Sequence, residues 1–241
     1  LEVDSFNCLW YTQFKQQCEN WKKAIFDAME LNDLSDYLAQ RLRAPLPGLE
    51  ASKLMSARLA NGSRIRMNHE KPPKHGSVMI LLYQDDDTVR FPLIQRPEYP
   101  GVHSGQMALP GGKKEPDEND IQAALRETQE EIGVHAGEIE VIGSLSSFYV
   151  FASNFQILPV IGRINRKPMF IPQEEEVAEI VSANIHHLMD DAFHKEKDIT
   201  VGEGFELRAP YFDLEGKVVW GATAMMLNEF KMILKEFGSW K

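Results

Sequence analysis

Glu127, Glu130 and Glu131 stand at i, i+3 and i+4, with Arg126 directly before the first of them. On a helix this spacing crowds carboxylates together, at about 0.2–0.5 kcal/mol for each exposed like-charged pair. A helix built that way makes chemical sense where a divalent cation sits among the oxygens. Magnesium suits such a place, because it prefers hard carboxylate oxygens and shares its shell with waters and substrate phosphates. Any one of these glutamates alone reads as a solvated acidic face. The full set, with Gly112 ahead of it and Gly133 behind it, outweighs that reading.

The element that must carry these groups is itself marked in the sequence. Asn119 is a helix cap, and Gln122 three residues later completes a capping-box pattern. Gly133 suits the left-handed residue that ends a helix. Between them Ile121, Leu125, Thr128 and Ile132 recur at helical spacing and predict one buried stripe, with the glutamates on a different face.

Taken together, Gly112, Glu118, Arg126-Glu127, Glu130-Glu131 and Gly133 resemble the Nudix box, the signature of metal-dependent hydrolases of nucleoside diphosphates linked to another group. One hydrophobic slot of that pattern is filled by Thr128. The resemblance implies an α/β/α sandwich with a mixed β-sheet, and Mg²⁺ or Mn²⁺ as cofactor. It implies Glu127 and Glu131 as primary metal ligands, Glu130 sharing a further ion, and the Gly111 carbonyl as a backbone ligand. Arg126 is expected to pair with the carboxylates and fix their orientation, with Glu118 supporting them rather than binding metal. The general base is expected from a loop outside the box, where Glu174, Glu175 and Glu176 are candidates.

Further segments resemble the coenzyme A diphosphatase branch of these enzymes. Leu93, Arg96, Gly105, Pro110, Gly111 and Gly112 match its upstream pattern in register. Pro92, Ile94, Pro97, Gly101 and Leu109 depart from it, Gly101 standing where the branch has Arg. Gln173-Glu174-Glu175-Glu176-Val177 and Trp220-Gly221-Ala222-Thr223-Ala224 resemble its acidic loop and its closing helix start. The implied reaction is hydrolysis of the diphosphate of coenzyme A or acyl-CoA, giving 3′,5′-ADP and (acyl-)4′-phosphopantetheine. The alternative is the same reaction on ADP-ribose or another nucleoside diphosphate derivative. Arg96, Gln106 and Lys113 are the expected contacts to a CoA-like substrate, with Lys114 and His103 nearby. His187, Asp191 and His194 fall at chelating spacing but read better as exposed helix polarity. Non-catalytic sensor domains of the superfamily this chain resembles usually lose box carboxylates, whereas all of them are present here.

Composition sets the bounds. At 241 residues the chain can bury one sizeable core plus an appendage, and its 43% hydrophobic and 26% charged residues are ordinary for a globular protein. A net charge of −10 argues against a nucleic-acid surface. The longest apolar run, Ser77 to Tyr83, is strand-sized, and Leu1-Glu2-Val3-Asp4 has no signal-peptide character. Cys8 and Cys18 read as reduced thiols, so a cytoplasmic setting is expected.

Residues 1–60 are expected to form a helical extension and 61–241 the Nudix domain. Trp10, Phe14, Cys18, Trp21, Ile25 and Met29 make an apolar stripe that either docks on the chain's own domain or forms a homodimer contact. A short helix is expected over Ala51–Leu59 after the break at Pro45–Gly48. Strands are expected at Ser77–Tyr83, Val89–Ile94, Gln106–Leu109, Ile139–Val150, Phe155–Ile164 and Val177–Val181, with another at Val218–Trp220. Helices are expected near Asn184–Ala192 and Ala222–Phe237.

Overall fold

Ser77 to Tyr83 forms the middle of the longest strand among the described residues, and both of its faces are covered. The computed structural model describes residues 30–59, 69–100, 103–201 and 204–237. In it β2 (Lys74–Asp85) turns through Asp86, at a φ of 50°, into β3 (Thr88–Gln95). β2 also runs parallel to β8 (Phe155–Ile164) over ten residue pairs, Lys74↔Phe155 to Tyr83↔Ile164. Around this spine an eight-stranded mixed sheet runs in the order β4 (Met107–Ala108), β3, β2, β8, β6 (Glu140–Ser144). β5 (Gly111–Lys113) pairs with β2, β7 (Phe148–Val150) with β8, and β9 (Glu179–Asn184) with β3.

Strand alternation sends Val78, Ile80 and Leu82 to one core and Met79, Leu81 and Tyr83 to the other. That double burial is why the run reads as continuously apolar. The first core lies under α1 (Leu31–Arg41) and α5 (Gly221–Phe237), and the second under α3 (Asp120–Ile132). Helices on both faces of a mixed sheet agree with the expected fold class.

The apolar stripe from Trp10 to Met29, with Cys8 and Cys18, lies outside the described residues. The next helix, α1, buries Leu34 and Leu38 completely in the core it shares with α5. Each such leucine contributes about 1.5–3 kcal/mol relative to exposure. The Tyr37 hydroxyl donates to the Ile233 carbonyl at 2.7 Å, and Arg41 pairs with Glu236 at 2.7 Å.

Three expectations need correction. The helix expected over Ala51–Leu59 is α2 (Leu49–Leu54), after which β1 (Arg58–Leu59) pairs with β11 (Phe205–Leu214). The helix expected near Asn184–Ala192 ends early, as α4 (Ile185–Met189), because Asp190 is extended and its side chain accepts the Ala192 N–H at 2.9 Å. That break separates the three residues at chelating spacing, which the sequence already reads as helix polarity rather than a metal site. His187 stacks on Phe193 and meets Glu215 at 3.1 Å, while Asp191 pairs with Lys231 at 2.9 Å and Lys235 at 3.0 Å. Lastly, a second sheet went unforeseen: β10 (His194–Val201) and β11 (Phe205–Leu214), joined by β1 and by β12 (Lys217–Trp220).

Candidate metal and substrate site

The site is assembled where β5 meets α3. Asn119 caps α3 with a full capping box: its side chain accepts the Gln122 N–H and the Gln122 side chain accepts the Asn119 N–H. Gly133 ends the helix at a φ of 72°, as its position predicts.

The buried face differs from the expected stripe. Thr128 and Ile132 are fully buried, but Leu125 is only half-buried and Ile121 is 41% exposed. Ala123 and Ala124 take the buried positions, and Glu131 joins them at 2% exposure. Small side chains bring the helix close to the sheet, close enough for the Gly111 N–H to donate to Glu131 Oε2 at 2.7 Å.

Two glycines make this approach possible. A Cβ on Gly111, whose φ is 150°, would lie 2.3 Å from the Ser77 carbonyl oxygen. A Cβ on Gly112 would lie 2.6 Å from the Glu127 carboxylate. Glu127 therefore rests directly on bare backbone.

Arg126 organises the outer edge of the cluster. Its guanidinium reaches Glu118 at 2.8 Å, Glu130 at 2.8 Å, Glu127 at 3.0 Å and the Lys113 carbonyl at 3.2 Å. The bond to Glu118 is the main reason its pKa rises, and the same bond holds the Glu118 carboxyl below its ordinary value. Glu118 also accepts the Glu115 N–H at 2.8 Å, so it braces Arg126.

The third carboxylate comes from far along the chain. Glu127, Glu131 and Glu176 offer oxygens that all lie within 4.8 Å of one another, the convergent group of this kind among the described residues. Backbone pairing delivers Glu176 there. The Ile171 and Gln173 N–H groups donate to the Ile132 and Glu131 carbonyls, each at 3.0 Å, using acceptors left open by the helix end. The Gln173 side chain then accepts the Glu176 N–H at 2.7 Å. Glu174 and Glu175 are exposed on the same turn and stand outside the group, as does Glu130, which faces Arg126.

Electrostatics fit a cation among these three residues. Burial pushes the Glu131 carboxyl up to about 7, with Glu127 and Glu176 adding to the rise and the Gly111 N–H and Arg96 opposing it. Burial also raises Glu127, against the pull of Arg126. Glu127 and Glu131, two carboxylates that resist ionisation, mark an environment short of positive charge, and hard oxygen donors suit Mg²⁺ or Mn²⁺.

Beside the cluster, on the other side of Gly111 and Gly112, opens a cavity of about 290 Å³. Arg96, His103, Gln106 and Lys113 all line it. Lys114 does not; it pairs with Asp120 at 3.1 Å. Val150, Phe155, Trp220 and Met226 supply an apolar wall that had no assigned role in the sequence. The Trp220–Ala224 segment was conspicuous there, but nothing local showed that it faces Gly111.

Fold, helix and carboxylates together define a Nudix domain. The sequence model of the family described as NUDIX domain matches residues 73–200, and the chain belongs to that family. It is 34% identical over 164 residues to Nudix hydrolase 15, mitochondrial, of Arabidopsis thaliana, across 64% of this chain and 56% of that protein. It is 31% identical over 137 residues to the uncharacterized Nudix hydrolase NudL of Yersinia pestis (strain Pestoides F), across 56% of this chain and 68% of that one. The chain thus spans between about half and two thirds of the length of these relatives. Among solved structures, a MutT/nudix family protein from Enterococcus faecalis aligns with a TM-score of 0.46 at 19% identity, over 86% of this chain and 75% of that one. No helix among the described residues is long and apolar enough to cross a membrane.

Proposed function

We propose that this chain is a divalent-cation-dependent diphosphatase that cleaves coenzyme A or acyl-CoA into 3′,5′-ADP and (acyl-)4′-phosphopantetheine. The observation that carries the reading is the convergence of Glu127, Glu131 and Glu176 beside a cavity with both cationic and apolar walls. A bound Mg²⁺ or Mn²⁺ would neutralise phosphate oxygens and lower the pKa of the attacking water.

The chain's own residues divide the remaining work. Glu127 and Glu131 hold the cation, with Arg126 and the Gly111 N–H fixing their orientation. Glu176 faces them from the loop and accepts the water proton as the new phosphorus–oxygen bond forms and the bridging bond breaks. Glu130, tied to Arg126, tunes the cluster from its rim. Arg96 and Lys113 meet substrate phosphate charge, and Gln106, held by His103 at 3.0 Å, offers a hydrogen bond in the cavity. The apolar wall suits a nucleobase or a pantetheine arm. A cytoplasmic setting belongs to this proposal, on the reading of Cys8 and Cys18 as reduced thiols.

One feature favours the runner-up substrate, ADP-ribose: the cavity offers two cations, Arg96 and Lys113, and the branch's further Arg is replaced by Gly101. Purified protein with Mg²⁺ or Mn²⁺ is therefore to be given coenzyme A, its 3′-dephospho form and ADP-ribose, with products weighed by mass spectrometry. We expect 3′,5′-ADP from coenzyme A. Intact coenzyme A beside cleaved ADP-ribose would overturn the substrate assignment.

A further inference from the structure

Ser77 is fully buried, and its hydroxyl has no hydrogen-bond partner among the described residues. An orphan hydroxyl is costly in the fully buried stretch Gly76–Tyr83 of this strand. Its position is set by register. Ser77 lies directly opposite Gly112 in the antiparallel β2–β5 pair, so the two positions project side chains to the same face. At Gly112 that direction ends on the Glu127 carboxylate, 2.6 Å from a built Cβ. Along β2, Val78 serves the α5 core and Met79 the α3 core, which puts Ser77 on the α3 face by alternation. Ser77 therefore stands in the sheet floor beside the bare patch on which Glu127 rests.

We propose that Ser77 is a positioning residue of the cation site. Its hydroxyl donates to the Glu127 carboxylate when that carboxylate turns to hold a cation, and so fixes the orientation in which Glu127 binds. The proposal rests on the reading of Glu127 and Glu131 as cation ligands. A donor used only in the loaded state explains why the hydroxyl is unpaired here and why serine, rather than another apolar residue, interrupts the floor of the strand. Gly112 and Ser77 then act as a pair, one leaving room for the carboxylate and the other supplying its hydrogen bond.

The test is Mn²⁺ binding by the full chain, read from the loss of the free aquo-Mn²⁺ electron paramagnetic resonance signal, with Tm measured in chelator. Ser77→Ala is expected to bind Mn²⁺ about tenfold more weakly, the usual scale for losing a partner of a metal ligand. Its Tm in chelator should equal or exceed that of the parent, since the change deletes an orphan buried hydroxyl. Ser77→Cys keeps the shape with only a weak donor and should lose affinity likewise. Unchanged Mn²⁺ affinity in both variants would overturn the role of Ser77 and leave the cation site standing. Absence of saturable Mn²⁺ binding in the parent would instead overturn the site beneath it.

Discussion

Glu131 combines near-complete burial with a carboxyl pushed up to about 7. Burial is the main cause, and in the unfolded chain the group returns toward its ordinary 4.5. An acid whose folded pKa lies above its unfolded one favours the fold when protonated. Its stabilising contribution is complete below about 4.5 and is lost as pH rises through about 7, on the order of 3 kcal/mol in all. Glu131→Gln keeps an acceptor for the Gly111 N–H and removes the titration. In chelator, the Tm of the parent minus that of Glu131→Gln should therefore fall as pH rises from about 5 to about 8. A constant difference would contradict the burial argument. With metal and substrate present, the same variant should lose turnover by about 100-fold or more.

At this scale the sequence was legible where function is local. Glu127, Glu131 and Arg126 announce themselves through spacing on one helix. Glu176 did not stand out from Glu174 and Glu175, because its arrival depends on Gln173 pairing with the far end of α3. Ser77 gave no signal, since an isolated serine in an apolar run has meaning only once its cross-strand partner is known.

Among the elements, β5 and α3 depend on each other most closely. Gly112 is bare because Glu127 occupies the space of its side chain. The atoms a Cβ would strike are the mobile end of Glu127, so Gly112→Ala should displace the carboxylate and leave the fold nearly intact. Mn²⁺ affinity is expected to fall about tenfold or more with a Tm change of a few degrees. Unchanged affinity in a calorimetric titration would show that the Gly112–Glu127 approach is unimportant for the cation.

Elements with strong apolar periodicity, such as β2, β8 and α5, lie close to where their patterns predict. β10 was missed because His194-Lys195-Glu196-Lys197-Asp198 carries no apolar alternation, and its pairing with β11 is what makes it a strand. On α3 the hydrophobic residues misled. Ile121 is large and apolar yet exposed, because alanine at 123 and 124 lets the helix approach the sheet on a slightly different face.

Across the whole molecule, the two cores meet the site from opposite sides. The carboxylates stand on α3, whose inner face closes one core, and the α5 core reaches the cavity wall at Met226. The segment Pro110–Lys113 lies between, so the carboxylate cluster and the cavity sit on different layers that share two glycines. That division explains why the carboxylate cluster was readable from one helix while the cavity was not. The cavity gathers side chains from Arg96 to Met226, a span that periodicity cannot bring together.

The central claim is that this arrangement holds a divalent cation. Anomalous diffraction from a crystal soaked in Mn²⁺ tests it most directly. The account predicts a manganese peak in contact with the Glu127 and Glu131 carboxylates and facing Glu176. A well-soaked crystal with no peak there, or with manganese bound only elsewhere, would contradict it.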